Sequence, residues 1–218
     1  MVDEQPAAPR IDRRRARTRA ALLQAGQALF ARRPVDGVSI DDIVLAADVA
    51  KGSFYNHFDD KEALAREIAA QVRGATEQVV TEINVGVDDA ARRVARALCV
   101  FVRDAGDNPE RNRALQRLFA GATQIEAPMN RGVREDVQAG LSTGRFAGVS
   151  LETGVLLIMG VVQVAVARAL ESPASSPAVC QDVTFALLRG LGVAPADAAE
   201  IAAAARADIF AAQPSAAA

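Results

Sequence analysis

Histidine, tyrosine, tryptophan and lysine are almost missing from this chain of 218 residues. It has one histidine, one tyrosine, two lysines and no tryptophan. A single histidine excludes the histidine clusters that hold catalytic zinc or iron, and no paired carboxylates at helical spacing replace them. The sequence therefore predicts neither a metal site nor a cofactor.

Cysteine is scarce as well. Cys99 and Cys180 lie far apart and lack any ligand-like spacing. Two thiols in a chain of this length do not make a disulfide framework, so we expect a protein of the reducing cytoplasm. Both are interpreted as buried thiols, and whether either has a redox role stays open.

Long apolar runs are absent too. The most apolar stretch, residues 155–167, is too short to span a bilayer and contains Gln163. The first residues have no apolar core and predict no secretory signal. We expect a soluble protein with no membrane partner.

The charge is unevenly distributed along the chain. The formal net charge is −2, yet residues 10–73 carry twelve basic and nine acidic side chains, whereas residues 74–218 carry thirteen and sixteen. The first third is therefore the expected face for an anionic partner.

Strand patterns are nearly absent, and alanine, arginine and leucine dominate, so the sequence predicts an all-α fold. An amphipathic helix runs to Arg33 and stops at Pro34. Ser39 then caps a short helix, a second short helix covers KGSFYNHF, and a long helix follows from Asp60 to about Ile83. Further helices are predicted over 88–105, from 109, and over 128–145, 150–171, 177–191 and 196–211.

We predict two domains from this pattern. Residues 10–58 form a three-helix helix-turn-helix head, and the long helix joins it to a larger helical body within residues 59–212. Residues 1–9 and 213–218 are expected to be disordered tails.

The rare residues collect in the segment KGSFYNHFDDK, from Lys51 to Lys61. A recognition helix needs such side chains, because its first residues meet base edges and its flanks hold phosphates. Lys51, Gly52 and Ser53 suit bases, and Tyr55 suits a phosphate. The predicted DNA-binding residues are Arg13, Arg14, Arg15, Arg17, Ser39, Lys51, Gly52, Ser53, Tyr55, Asn56, His57 and Lys61.

The run VSIDDIVLAADVAKGSFYNHFDDKEAL, from Val38 to Leu64, resembles the DNA-binding head of the tetracycline-repressor (TetR) family. The first helix ending in Phe30, the Ser39 cap and the KGSFYNHF element are in register with that family. The resemblance implies a dimeric regulator, more a repressor than an activator, that binds a palindromic operator in double-stranded DNA. It also implies a small-molecule effector bound in the body.

Two positions depart from the family pattern. Asp48 stands where the turn commonly has glycine, and aspartate tolerates a left-handed backbone better than most residues. Ala50 stands where the recognition helix often has a serine or threonine cap, which loses about 1 kcal/mol.

The body is expected to supply the effector pocket and the dimer interface. The helices over 150–171 and 177–191 are the predicted interface, since two from each subunit make a four-helix contact. The predicted pocket residues are Phe101, Arg117, Leu118, Phe119, Met129, Arg134, Gln138, Met159, Gln163 and Phe185.

The sequence suggests two alternative functions. GLSTG at 140–144 matches the nucleophile elbow of hydrolases, with Ser142 as the nucleophile. The pattern ends a predicted helix, and the single histidine lies in the head, so we expect no enzyme. The second alternative is a regulator controlled by a protein partner, without a small-molecule site.

Overall fold

The computed structural model describes residues 10–118 and 130–211. The predicted tails and two predicted pocket residues, Phe119 and Met129, lie outside these ranges. The described residues form ten α-helices and no strand, which confirms the predicted all-α class. The helices are α1 (Arg10–Phe30), α2 (Ile40–Ala46), α3 (Lys51–Tyr55), α4 (Lys61–Ile83), α5 (Ala90–Asp107), α6 (Pro109–Leu118), α7 (Arg131–Ser142), α8 (Leu151–Glu171), α9 (Ser176–Gly190) and α10 (Pro195–Phe210).

Local side-chain hydrogen bonds determine where the short helix α2 of the head begins. The Ser39 hydroxyl accepts the Asp42 N–H, and the Asp42 carboxylate accepts the Ser39 N–H, so α2 begins with a reciprocal capping box. The turn after α2 needs one left-handed residue, and Asp48 adopts it with φ 53°. The expectation for Asp48 is confirmed.

The core of the head reaches beyond α3. Phe30, Ile43 and Phe54 are fully buried in it, and Leu64 and Ile68 of α4 belong to the same cluster. Each such side chain contributes about 1.5–3 kcal/mol through burial. The first half of α4 therefore packs as part of the head, and the division at residue 58 stays a prediction.

The buried face of α4 continues from Val72 to Thr76, whereas Ala75 and Val79 are exposed. The side that faces α5 carries Thr76, a polar residue that has a hydrogen-bond partner there. Its hydroxyl donates to the Asp104 carboxylate at 3.2 Å. Asp104 also accepts hydrogen bonds from Asn112 and Arg111 and so joins α4, α5 and α6.

The body is built around α5, against which α8, α9 and α10 pack. Within the described residues, α8 alone is long and apolar enough to cross a membrane by length and composition, a test that core helices of soluble proteins also pass. Residues along one side of it, from Val155 to Ala169, are buried in the body core. The other side exposes Leu156 and Val164.

Candidate functional site

The outer face of α3 is polar and open to solvent. Lys51, Gly52, Tyr55 and Asn56 are exposed, and Ser53 is half-buried. A side chain added at Gly52 would meet no atom within 4 Å, so nothing inside the chain requires glycine there. This face can approach another molecule closely.

Two phenylalanines fix the inner face of α3. Phe54 is 0% exposed and Phe58 is 5% exposed, and their ring centroids lie 5.8 Å apart. The guanidinium of Arg19 lies over the Phe58 ring at 5.3 Å and also pairs with Glu67 of α4. Arg19 thus ties α1 to α4, and Phe54 and Phe58 hold the polar face outward. The N-cap Ala50 makes no side-chain cap bond, as expected.

Lys51 is paired in the free head. Its ammonium lies 2.8 Å from the Asp41 carboxylate, and both side chains are largely exposed. This hydrogen bond and the charge of Asp41 raise the pKa of Lys51. Lys51 therefore stays charged, and Asp41 competes with any other anion for its ammonium.

Lys61, a predicted DNA-binding residue, is hydrogen-bonded within the head. Its ammonium donates to the carbonyl oxygens of Val35 at 3.0 Å, Val38 at 3.1 Å and Asp36 at 3.4 Å. An ammonium has three N–H donors, and all three face these carbonyls. Lys61 holds the α1–α2 connection against the start of α4.

The first turns of α1 carry the predicted basic arm. Arg13, Arg14, Arg15 and Arg17 are all exposed there. Half-buried His57 faces this positive region, and burial, followed by the charges of Arg15 and Arg19, lowers its pKa. His57 is therefore neutral at neutral pH, with its ring close to the arm.

A cavity of about 550 Å³ lies in the body between α4, α5, α6, α7 and α8. Three predicted residues, Phe101, Met159 and Gln163, line it. Gln163 is hydrogen-bonded to Gln116 of α6, which also lines the cavity.

The remaining described pocket residues lie outside this lining. The Arg117 guanidinium turns to the other side of α6 and donates to the carbonyl oxygens of Phe30 and Ala31. Leu118 packs against the core of the head, and Phe185 is 37% exposed on α9. The structure does not bring these three residues to the cavity, because α6 and α9 each present two faces and helical periodicity does not say which face meets it. Arg134 and Gln138 on α7 also do not line it.

Charged pairs form part of the cavity wall, and the sequence pattern did not reveal them. Arg73 and Glu77 lie 2.7 Å apart, one helical turn from each other, and Arg93 reaches Asp136 at 2.5 Å. Burial raises the pKa of Asp136, although the Arg93 guanidinium opposes this shift. The i, i+4 spacing of Arg73 and Glu77 was the one local signal available.

The structure gives Ser142 a structural place. It is the last residue of α7, and its hydroxyl donates to the Ala139 carbonyl oxygen at 2.9 Å. Gly144 adopts φ 71° after the helix, and a side chain at Gly140 would collide with the Phe146 ring. These glycines end a helix and allow close packing, so they do not form a nucleophile elbow.

Sequence comparisons find known proteins that match the head of this chain. The family model for bacterial regulatory proteins of the tetR family matches residues 22–68. The HTH-type transcriptional repressor DhaR of Mycobacterium sp. (strain GP1) is 45% identical over 47 residues, which are 22% of this chain and 24% of DhaR. The uncharacterized HTH-type regulator YdgC of Bacillus subtilis (strain 168) is 24% identical over 67% of this chain and 77% of its own length.

The likeness also extends through the body. The crystal structure of RolR in complex with resorcinol is 28% identical, covers 88% of this chain and 95% of RolR, and has a TM-score of 0.61. The chain thus spans about a quarter of DhaR but nearly all of RolR. The head thus matches the tetR family of bacterial regulatory proteins in sequence, and the order of helices through the whole chain resembles that of RolR.

Proposed function

We propose that this protein is a dimeric cytoplasmic repressor that binds a palindromic operator and releases it when a small molecule enters the body. The observation that carries the proposal is the two-sided character of α3. Its inner side is fixed by Phe54 and Phe58, whereas its outer side presents Lys51, Gly52 and Tyr55. A short helix held in this way suits the major groove.

The DNA contacts divide into two classes. Lys51, Gly52 and Ser53 approach base edges, and Tyr55, Asn56, His57 and Ser39 hold phosphates. The Ser39 oxygen accepts the Asp42 N–H, which leaves its hydroxyl proton able to donate to a phosphate oxygen. Lys61 acts indirectly, because it fixes the loop before Ser39.

The basic arm adds affinity for DNA without sequence specificity. Exposed cations on the first turns of α1 can follow the phosphate backbone or enter a neighbouring minor groove. Each phosphate contact releases counterions, so binding should weaken steeply as salt rises.

A second copy of the chain is the proposed partner of the outer face of α8. Leu156, Gly160 and Val164 follow one another at four-residue spacing on that face, and all three are exposed. Exposed Phe185 of α9 adds to the apolar surface. Two copies of α8 and α9 around a two-fold axis would bury these residues and present two recognition helices.

The cavity favours a neutral, partly polar effector. Its volume lies within the usual range for ligand pockets, about 300–1,000 Å³. Leu98, Phe101 and Met159 supply apolar wall, while Gln116 and Gln163 supply hydrogen bonds. The charged wall residues already have partners, so a charged ligand would have to break those pairs. A small hydroxylated ring suits this lining, and resorcinol, the ligand in the RolR structure, is of that kind.

The cavity is connected to the head by two helices. Residues of α4 and α6 line it, and other residues of the same helices, such as Ile68 and Ala114, belong to the core of the head. A ligand that binds one placement of α4 and α6 more tightly therefore shifts the equilibrium toward that placement, and α3 moves with it. The size of the shift is set by the difference in the ligand's affinity for the two placements.

The decisive experiment is a binding titration with DNA duplexes from the promoter region of the protein's own gene. Binding is measured by fluorescence anisotropy at a series of salt concentrations. We expect tight binding that weakens as salt rises, and a stoichiometry of two chains per palindrome. No binding to those duplexes at low salt would refute the proposal.

Thermal shift against neutral hydroxylated rings, starting with resorcinol, tests the effector. A raised melting temperature together with release of DNA supports control by a small molecule. DNA binding with no response to any such compound would favour the alternative of control by a protein partner.

A further inference from the structure

The fold brings the two cysteines of the chain together. Cys99 lies on α5 and Cys180 on α9, 81 positions apart, and their Sγ atoms are 2.8 Å from each other. Both side chains are 0% exposed within the body core. Local sequence gives no sign of this contact, because neither cysteine lies near the other in the chain.

The arrangement is close to that required for a bond. A disulfide needs its sulfur atoms about 2.0 Å apart on side chains that face each other across neighbouring segments. Cys99 and Cys180 approach this distance, with their sulfurs 2.8 Å apart, on two helices that pack against each other. Joining them requires the two sulfurs to come about 0.8 Å closer.

The surroundings give the two sulfurs different roles. The hydrogen bond between the two sulfurs raises the pKa of Cys99, and burial raises it further. The same hydrogen bond lowers the pKa of Cys180, against burial, with Thr184 Oγ1 lying 4.0 Å from its sulfur. Of the two, Cys180 is therefore the sulfur that loses its proton more readily.

We propose that Cys99 and Cys180 are a modification site, a dithiol that a hydroperoxide oxidises to an intramolecular disulfide. The Cys180 thiolate attacks the terminal oxygen of the hydroperoxide, breaks the O–O bond and becomes a sulfenic acid, while an alcohol, or water from hydrogen peroxide, leaves. The Cys99 sulfur then attacks the sulfenic sulfur. The S–S bond forms, the S–O bond breaks and water leaves. In sum, two thiols are oxidised by two electrons and one hydroperoxide is reduced.

Burial sets the rate of this chemistry. Neither sulfur has solvent-exposed surface, so the oxidant reacts when α9 moves locally away from α5. The second step needs no such opening, since the two sulfurs are already neighbours. We therefore expect slow oxidation that passes directly to the disulfide, without accumulation of the sulfenic acid.

The cross-link joins two working parts of the body. Leu98 and Phe101, on either side of Cys99 along α5, line the cavity. Cys180 lies on α9, the helix that carries the exposed Phe185. The disulfide would fix the cavity wall to that helix, whatever ligand or DNA the protein binds.

The test counts thiols in the full-length protein. The protein is incubated with hydrogen peroxide, the oxidant is removed, and the chain is unfolded in guanidinium with iodoacetamide before its intact mass is measured. We expect untreated chains to take up two alkyl groups, and treated chains to take up none and to weigh two hydrogens less. Dithiothreitol should restore both thiols.

Matched variants identify the linkage. Cys180→Ala and Cys99→Ala should each lose the intramolecular product. A treated wild-type chain that still takes up two alkyl groups, after an incubation many times longer than one that fully oxidises a cysteine-containing peptide, would overturn the proposal. A disulfide found only between two chains would overturn it as well. Because both outcomes are read on the wild-type protein, poor folding of a variant does not affect the conclusion.

Discussion

The ammonium of Lys51 lies 2.8 Å from the carboxylate of Asp41, so the free protein neutralises a cation that its recognition helix exposes. The pair is formed between α2 and α3 on the outer surface of the head. In the proposed complex, an acceptor on the duplex competes with this carboxylate for Lys51.

Asp41→Asn should therefore bind DNA more tightly. The change frees Lys51 and removes a negative charge that repels phosphates. Exposed ion pairs are worth about 0.2–1 kcal/mol, so we expect a gain of about 1.4- to 5-fold in affinity, measured by fluorescence anisotropy. Asp88→Asn removes the same charge from the α4–α5 turn and is the control. Equal gains in both variants would show that net charge alone matters.

Gly52→Ala should weaken DNA binding while leaving the fold intact. The added methyl group meets no atom of the chain within 4 Å, and alanine favours the helix by about 0.5–1 kcal/mol. If the backbone at Gly52 approaches a base or phosphate, that methyl group occupies the same space. We expect affinity to fall about tenfold or more, or about 1.4 kcal/mol, in the same titration.

Gly74 provides the matched control for this substitution. It lies exposed in α4, and a side chain there also meets nothing within 4 Å. Gly74→Ala should stabilise the helix and leave DNA affinity unchanged. Unaltered affinity in Gly52→Ala would remove Gly52 from the contact surface.

His57 should make DNA binding depend on pH. Burial and the charges of Arg15 and Arg19 lower its pKa in the free protein, whereas a phosphate beside the ring would raise it. The complex then takes up a proton, and affinity should increase as pH falls from 8 towards 6, by less than tenfold per pH unit. His57→Gln should show a flat profile over this range, since the chain has no other histidine.

The same residue affects folding in the opposite sense. An unfolded histidine has a pKa of about 6.5, above the lowered value in the folded chain. Between these two values the unfolded chain binds the extra proton, so stability should decrease as pH falls through this window. Urea unfolding of the wild-type protein and His57→Gln measures the difference.

Asp104→Ala should destabilise the junction of α4, α5 and α6. The carboxylate accepts hydrogen bonds from Thr76, Arg111 and Asn112, and its removal leaves their buried donors without an acceptor. We expect a loss of about 2–4 kcal/mol in the free energy of unfolding. Asp107→Ala, which removes a more exposed partner of Arg103, should cost less than about 1 kcal/mol.

Acid should reproduce part of this effect. Burial alone would raise the pKa of Asp104, but the hydrogen bonds from Asn112 and Arg111 lower it on balance. The stabilisation is therefore complete above the pKa of an unfolded aspartate, about 3.9, and is lost as pH falls through the lower folded value. Equal acid sensitivity of the wild-type protein and Asp104→Ala would contradict this assignment.

Much of the fold could be predicted because its signals are local. Pro34 predicts the end of the first helix, and α1 ends shortly before it. Ser39 predicts the start of the next helix, and it is the N-cap of α2. The polar and apolar faces of α3 also follow from its own sequence. The contacts that rest on these signals involve neighbours along the chain.

The remaining contacts could not be predicted because they join distant segments. Lys61 meets carbonyl oxygens more than 20 positions earlier, Arg117 meets Ala31, and Cys99 meets Cys180. No period of 3.6 residues specifies which helix covers which. The cavity is affected most, because five helices supply its wall and only three of the predicted residues line it.

The position of α6 limits how this protein can be recombined with its relatives. Ala114 is buried in the core of the head and Arg117 donates to the end of α1, although both lie more than 80 positions beyond that helix. A chimera that exchanges only the first 58 residues would bring a foreign α1 against a native α6 and leave these contacts mismatched. Retargeting the protein to another operator should therefore succeed by exchanging the outer side chains of α3 alone, or by transplanting α6 with the head.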